Sequence, residues 1–364
     1  MKIETLETKN YEVIADILYN TYVPHWGEVG TPKWNPKYVE FIDKSYINDG
    51  TYVAAYDNNS IIGIGAGYIT KLHVAEIGEI KAFGICSFGV LPKFQKNGIG
   101  TQMVNSLTSI AESKNADIMF RICNAKLYDW KTLEKSEFIK KMNNVSQFAK
   151  VMGKDMIDTV VRIKQYGTVM KQLVKIVAGL PSPDKGIQEG KIREGTINDS
   201  STCVKILNDY KQTCEITKIW SESDFNNIIE NFKILSDPFN PFFIVWEIDG
   251  SVKAFLVGRT EAVKYNTGDA KGNVIVDTGF SQDLTRKQKS EFLHSVILYL
   301  KEKYPDSMAT NCAHVHHDLK AFDKAGFGDD RSTRPLYAKL LSKDLSDWFN
   351  SKWNPKNYYI PYQR

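Results

Sequence analysis

The residues best placed to do chemistry lie together in Phe88-Gly89-Val90-Leu91-Pro92-Lys93-Phe94-Gln95-Lys96-Asn97-Gly98-Ile99-Gly100-Thr101-Gln102-Met103. An apolar strand runs into a tight basic turn and then directly into an amphipathic helix. Glycines there let backbone N–H groups approach an anion that side chains would fence off. The helix adds its unsatisfied first-turn donors and the positive end of its dipole. Lys93 and Lys96 bring cationic charge. A lone Gly-x-Gly signifies no more than a helix starting beside a close-packed strand. With strand, proline, Gln-x-x-Gly-x-Gly and helix in order, the segment reads as a cradle for a diphosphate.

The elements that must hold this cradle occur twice. Residues 119–155 align without a gap to 308–344, at a constant offset of 189. Ten of these 37 positions are identical: Met119/Met308, Cys123/Cys312, Asp129/Asp318, Lys131/Lys320, Lys135/Lys324, Phe138/Phe327, Ala149/Ala338, Lys150/Lys339, Lys154/Lys343 and Asp155/Asp344. So long a period marks a duplicated domain rather than a solenoid. Each copy reads as a short strand (Lys2–Leu6; Lys191–Glu194), a helix (Tyr11–Tyr22; Ser201–Tyr210) and a β-hairpin. The hairpins turn at Asp57-Asn58-Asn59 and Asp249-Gly250, residues that tolerate positive φ. A strand (Phe83–Val90; Asn273–Phe280), a long helix (Gly98–Ser113; Gln288–Tyr304), and then a strand, short helix and last strand pair complete each copy. The expected fold class is α+β with mixed sheets, in two tandem domains. Residues 1–156 form the first, 157–189 a helical connector and linker, 190–345 the second, and 346–364 an aromatic tail that docks back on the body.

Composition excludes several classes. The 364 residues are 42% hydrophobic and 25% charged, and a net charge of +4 from 47 basic and 43 acidic residues is too small and dispersed for nucleic acid. No apolar run is long enough to span a membrane, and Met1-Lys2-Ile3-Glu4 opens no secretory signal. Five cysteines without CxxC spacing read as reduced, buried thiols of a cytoplasmic protein. His314, His316 and His317 lack a carboxylate or cysteine spaced for closed coordination, so no metal is expected.

At Gln95-Lys96-Asn97-Gly98-Ile99-Gly100 the sequence resembles the GNAT superfamily of acyl-CoA-dependent N-acetyltransferases, whose pyrophosphate loop reads Gln/Arg-x-x-Gly-x-Gly/Ala after the central strand. The resemblance covers residue 1 to about 156, and the element order carries it into copy two. It implies tandem acyl-CoA N-acyltransferase domains with sheets splayed at the centre and pantetheine between the splayed strands. Phe88, Gly89 and Val90 would then face the pantetheine. Gln95, Lys96, Asn97, Gly98, Ile99, Gly100 and Thr101 would hold the pyrophosphate, with Asn124 also facing the cofactor. Copy two departs from the pattern: Leu284-Thr285-Arg286-Lys287-Gln288-Lys289 has no glycine, although it stays basic. The expectation is one working cofactor site and one degenerate domain.

The implied reaction moves an acetyl group from acetyl-CoA to a primary amine of a small molecule or peptide by direct attack. It needs a base, donors for the oxyanion and an exit for the thiolate. A backbone N–H near Phe88 suits the oxyanion. The glutamate many family members carry on the central strand is missing. Glu76 and Glu79 in the preceding turn are the candidate bases, with solvated turn residues as the plain alternative. Tyr128 is the nearest phenol for the acid, though on a different helix face from the family's tyrosine. Cys86 has no His or Asp beside it in sequence and reads as packing. The loop from Tyr22 to Trp34 supplies His25, Trp26, Glu28 and Trp34 as an acceptor wall, or else as a cover for the sheet edge. The expected assembly is a monomer with a pseudo-twofold pair of domains, a homodimer being the alternative. The competing function is an acyl-CoA-binding sensor or scaffold without turnover.

Overall fold

In the computed structural model the described residues are 1–26, 31–48, 50–123, 129–142, 148–152, 186–312, 318–329, 335–353 and 358–359. The expected connector helix lies outside them. Copy one contributes β1 (Lys2–Thr5), α1 (Tyr11–Trp26), β2 (Thr31–Pro32), α2 (Pro36–Ile42), β3 (Thr51–Asp57), β4 (Ser60–Val74), β5 (Gly78–Val90), α3 (Ile99–Ser113), β6 (Ile118–Ile122), α4 (Asp129–Lys135), β7 (Ile139–Met142) and β8 (Phe148–Val151). Copy two contributes β9 (Lys191–Glu194), α5 (Ser200–Asn208), β10 (Ile216–Lys218), α6 (Glu222–Asn231), β11 (Pro241–Ile248), β12 (Ser251–Tyr265), β13 (Gly268–Phe280), α7 (Arg286–Lys303), β14 (Ser307–Cys312), α8 (Leu319–Lys324), β15 (Gly328–Asp329) and β16 (Leu336–Leu340). A further strand, β17 (Tyr358–Tyr359), comes from the tail.

The hairpins turn where the sequence places them. Asn58 and Asn59 have φ of 46° and 70°, and Asp249 and Gly250 have 48° and 76°, the pair of positive φ values a type I′ turn requires. The hairpins following them, β4–β5 and β12–β13, are longer than expected, and Glu79 lies on β5 rather than in a turn.

Two mixed sheets result. The first runs β1-β3-β4-β5-β6-β16-β7, and the second β15-β8-β14-β13-β12-β11-β9. The copies are interlocked. The last strand of copy two, β16, sits between β6 and β7 of copy one, with Ala338 opposite both Phe120 and Ile139. Reciprocally, β8 of copy one lies between β14 and β15 of copy two. A second exchange joins the hairpin arms, where β10 pairs with β4 and β2 with β12. The sheets therefore do not coincide with the two stretches of sequence. The 148/337 equivalence makes each last strand a fit for either slot, and the chain uses the one in the other copy.

Successive strand residues face different cores. Tyr52 and Ala54 join α1, α2, α5 and α6 in one apolar layer between the sheets, whereas Val53 and Ala55 face α3. Phe243 and Val245 enter the same central layer, and Ile244 and Trp246 pack under α7. Strands covered on both sides must be apolar at consecutive positions, which is why Tyr52–Ala55 and Phe242–Trp246 show no alternation. Trp348 stacks on Trp353 at 5.0 Å, and both are buried in the central layer.

Candidate active site at the splayed centre of the first sheet

The parallel pairing of β5 with β6 stops early. Ala82, Phe83 and Gly84 face Ile118, Met119 and Phe120, and no pairing follows. Among the described residues no strand pairs with Ile85 to Val90 on the β6 side of β5, so backbone donors and acceptors there are left for something else. Exposure follows the opening: Phe83 and Met119 are 0% accessible, whereas Cys86, Phe88, Val90 and Arg121 reach 6–8%. Within this stretch the ladder to β4 slips, because Ile64 faces Gly89 while Ala66 faces Cys86. Ser87 and Phe88 together oppose Gly65, and Ser87 is forced to φ 43°. A bulge of this kind turns backbone groups out of the ladder.

Each neighbour of the bulge is fixed by packing. The Phe88 ring lies across Gly65, where a β-carbon would come within 2.7 Å of it, and the Arg121 guanidinium lies 5.2 Å from its centre. The Phe88 carbonyl accepts a 2.7 Å hydrogen bond from the Tyr22 hydroxyl of α1. Gly89 lets Thr21 approach, the methyl and hydroxyl of Thr21 lying 2.8 and 3.0 Å from the place of a β-carbon. Tyr68 covers Gly84, and Phe120 stands edge-on to it at 6.4 Å. Burial pushes the Cys86 thiol up to about 12, so it stays neutral and is not a nucleophile at ordinary pH.

Beyond Val90 the chain forms the cradle. Pro92–Phe94 make one 3-10 turn, and the Gln95 amide donates back to the Val90 carbonyl at 2.8 Å. Gln95 thus shapes the loop with its side chain. Lys96 takes φ 66°, and Gly98 caps α3 in the left-handed region at φ 77° without any side-chain hydrogen bond to the helix. A β-carbon on Gly98 would meet nothing within 4 Å, whereas one on Gly100 would press on Thr132 of α4 at 3.3 Å. Gly98 serves the turn and the open face, and Gly100 serves close packing. Ile99 is buried beneath the helix, and Lys93, Lys96 and Asn97 are exposed. The first-turn N–H groups of α3, including those of Gly100 and Thr101, stay available at the positive end of the helix.

Copy two has the same bulge, with Val257 facing Asp277 and Gly258 facing Ile275, but its helix is closed. Thr285 accepts from the Gln288 N–H and Gln288 accepts from the Thr285 N–H, a complete capping box that satisfies these two donors internally. Its basic character is also diminished. Arg286 is paired with Asp318 at 2.6 Å, and Lys287 with Glu291 at 3.7 Å.

The remaining expected residues are dispersed. Glu76 is exposed in the β4–β5 turn, 3.5 Å from Lys352, and Glu79 stands opposite His73. Nine residues at about 3.3 Å each separate Glu79 from Phe88, roughly 30 Å along the strand, so neither carboxylate is brought to the bulge. Trp34 is brought near: it stacks on Tyr22 at 5.9 Å and continues through Tyr38 at 5.3 Å to Phe239 of copy two at 4.7 Å. Arg259 lies 4.5 Å from the Tyr38 ring and 3.1 Å from Glu261. An aromatic ladder therefore leads from the bulge of copy one into copy two. The side chains of His25 and Trp26, and Glu28, Asn124, Tyr128, His314, His316 and His317 altogether, lie outside the described residues. Thr21, Tyr22 and Arg121 escape sequence reasoning, since only the packing of α1 and β6 brings them to β5. Among the described residues no three His, Cys, Asp or Glu side chains group as a metal site, and no helix is long and apolar enough to cross a membrane.

Comparison with known proteins agrees with this geometry. Residues 15–128 match the model of the acetyltransferase (GNAT) family. No curated relative matches the chain in sequence. Among solved structures, Saccharomyces cerevisiae N-myristoyltransferase with bound myristoyl-CoA superposes with TM-score 0.69 at 14% identity, over 92% of this chain and 82% of that one. A GCN5-related N-acetyltransferase from Anabaena variabilis gives 0.58 at 8% identity, over 94% and 73%. An Enterococcus faecalis protein described as a probable N-acyltransferase gives 0.55 at 6% identity, over 93% and 72%. At these identities the structures compare in fold alone. Residues 15–128 thus resemble the GNAT family in sequence, and the chain as a whole shares the fold of these structures, with the same order of elements present twice.

Proposed function

We propose that the protein is an acyl-CoA-dependent N-acyltransferase whose first copy binds the cofactor and performs the transfer. The carrying observation is that an open splay, a bulge and an uncapped helix start with a left-handed glycine lie in line on β5 and α3. The diphosphate would rest on the backbone from Gln95 to Thr101, with Lys93 and Lys96 beside it. The pantetheine would run along Phe88, Gly89 and Val90. The thioester would then reach the bulge, where a backbone N–H near Phe88 holds the oxygen as the amine attacks. With Glu76 and Glu79 distant, the amine proton passes to water, and a thiolate of ordinary pKa leaves without an acid.

Acetyl is the proposed acyl group. Tyr68 over Gly84, with Phe120 beside it, closes the head of the splay and favours a short chain. Copy two contributes Phe239 and Arg259 to the far end of the acceptor wall. The test is CoA release from acetyl-CoA and from myristoyl-CoA over a panel of primary amines. Amine-dependent release from acetyl-CoA is expected. Tight binding of both thioesters without release would favour the sensor reading instead, and faster release from myristoyl-CoA would overturn the acetyl assignment.

A further inference from the structure

Thr21 is 6% exposed on α1, and its hydroxyl has no hydrogen-bond partner. A threonine buried within a helix can satisfy its hydroxyl on the carbonyl four residues back. Buried Thr108 on α3 does so, donating to Val104 at 2.9 Å. Thr21 does not, and its hydroxyl instead lies over Gly89, the first residue past the bulge. The adjacent Tyr22 hydroxyl already holds the Phe88 carbonyl. Consecutive residues of α1 thus address consecutive residues of β5, one bonded and one not. An unpaired buried hydroxyl destabilises the fold, so its place at the splay points to a ligand atom.

We propose that Thr21 is a catalytic residue, its O–H donating to the thioester carbonyl oxygen as the second donor beside the bulge N–H. This rests on the acyltransferase reading. As the amine nitrogen bonds to the carbonyl carbon, the C=O π pair moves onto oxygen and Thr21 and the N–H hold it. The intermediate collapses with the C–S pair leaving on CoA sulfur, and the surplus amine proton goes to water.

The test is Thr21→Val, which keeps the shape and removes the hydroxyl, with Thr21→Ser as the rescue. CoA release from acetyl-CoA is followed with hydroxylamine as the amine, together with KM for acetyl-CoA and Tm. For Thr21→Val, kcat should fall about 10²-fold, with KM within about twofold and Tm unchanged or raised. Thr21→Ser should recover most of kcat. Thr21→Val with wild-type kcat, or with a kcat loss matched by a lowered Tm and weakened acetyl-CoA binding, would overturn the role. A wild-type protein that binds acetyl-CoA but releases no CoA would instead overturn the transferase reading, and Thr21's part with it.

Discussion

Replacing Gly98 by alanine separates the cradle's chemistry from its conformation. Gly98 sits at φ 77° and a new β-carbon meets no protein atom within 4 Å, so the folding cost is backbone strain alone. An L-residue in this region costs roughly 1–2 kcal/mol, a loss of a few degrees in Tm for a chain of this size. Gly250 is a matched control, at φ 76° in a hairpin turn and equally open, but in copy two and distant in sequence from the cradle. Both variants should lose the same stability. Only Gly98→Ala places a methyl group where the diphosphate must approach. Losing one backbone hydrogen bond to a charged oxygen is worth about 1.5–3 kcal/mol, or roughly 10- to 100-fold in Kd. Calorimetric titration with acetyl-CoA, and with an acetyl-pantetheine fragment lacking the diphosphate, checks this. The fragment should bind Gly98→Ala as it binds wild type. Unchanged acetyl-CoA affinity in Gly98→Ala, or an equal loss in Gly250→Ala, would refute the reasoning.

Copy two should take no cofactor. Acetyl-CoA should titrate at one per chain, and Thr285→Ala should cost about 1 kcal/mol through the lost cap without changing that ratio. Leu336→Ala, in β16 and fully buried, should cost about 2–5 kcal/mol and speed amide exchange in β6 of copy one; protection confined to changes in copy two would contradict the strand exchange. Cys86→Ala should keep turnover within a few-fold, and Cys86 should resist iodoacetamide at pH 8. Its folded pKa is raised, so its contribution to stability is complete below the ordinary thiol value and is lost as pH rises through about 12. Stability measured from pH 9 upward should therefore fall less steeply in Cys86→Ala than in wild type.

Much of this was legible from local rules. Positive φ at Asn58, Asn59, Asp249 and Gly250, the strand into the cradle and α3 starting after Gly98 all depend on residues adjacent in sequence, where turn chemistry and periodicity act. Glu76 and Glu79 stand away from the bulge because the hairpin is longer than its apolar centre suggests. Sequence distance to Phe88 is short, but a strand converts it into about 3.3 Å per residue. The missing glycines of the copy-two loop were legible in the sequence, whereas the Thr285–Gln288 capping box and the Arg286–Asp318 pair need helix geometry to be seen.

By itself the sequence determined the duplication, the element order and the turn at Gly98 that starts α3, because identity at a fixed offset and glycine's conformational range are properties of the chain. Only the tertiary structure decided which slot each last strand fills, since β8 and β16 carry equivalent residues and either sheet offers the same hydrogen-bonding edge. It also decided that Thr21 and Tyr22 stand over Gly89 and Phe88. That contact is set by how α1 packs on β5 across more than sixty residues of chain, a distance over which no local pattern carries information.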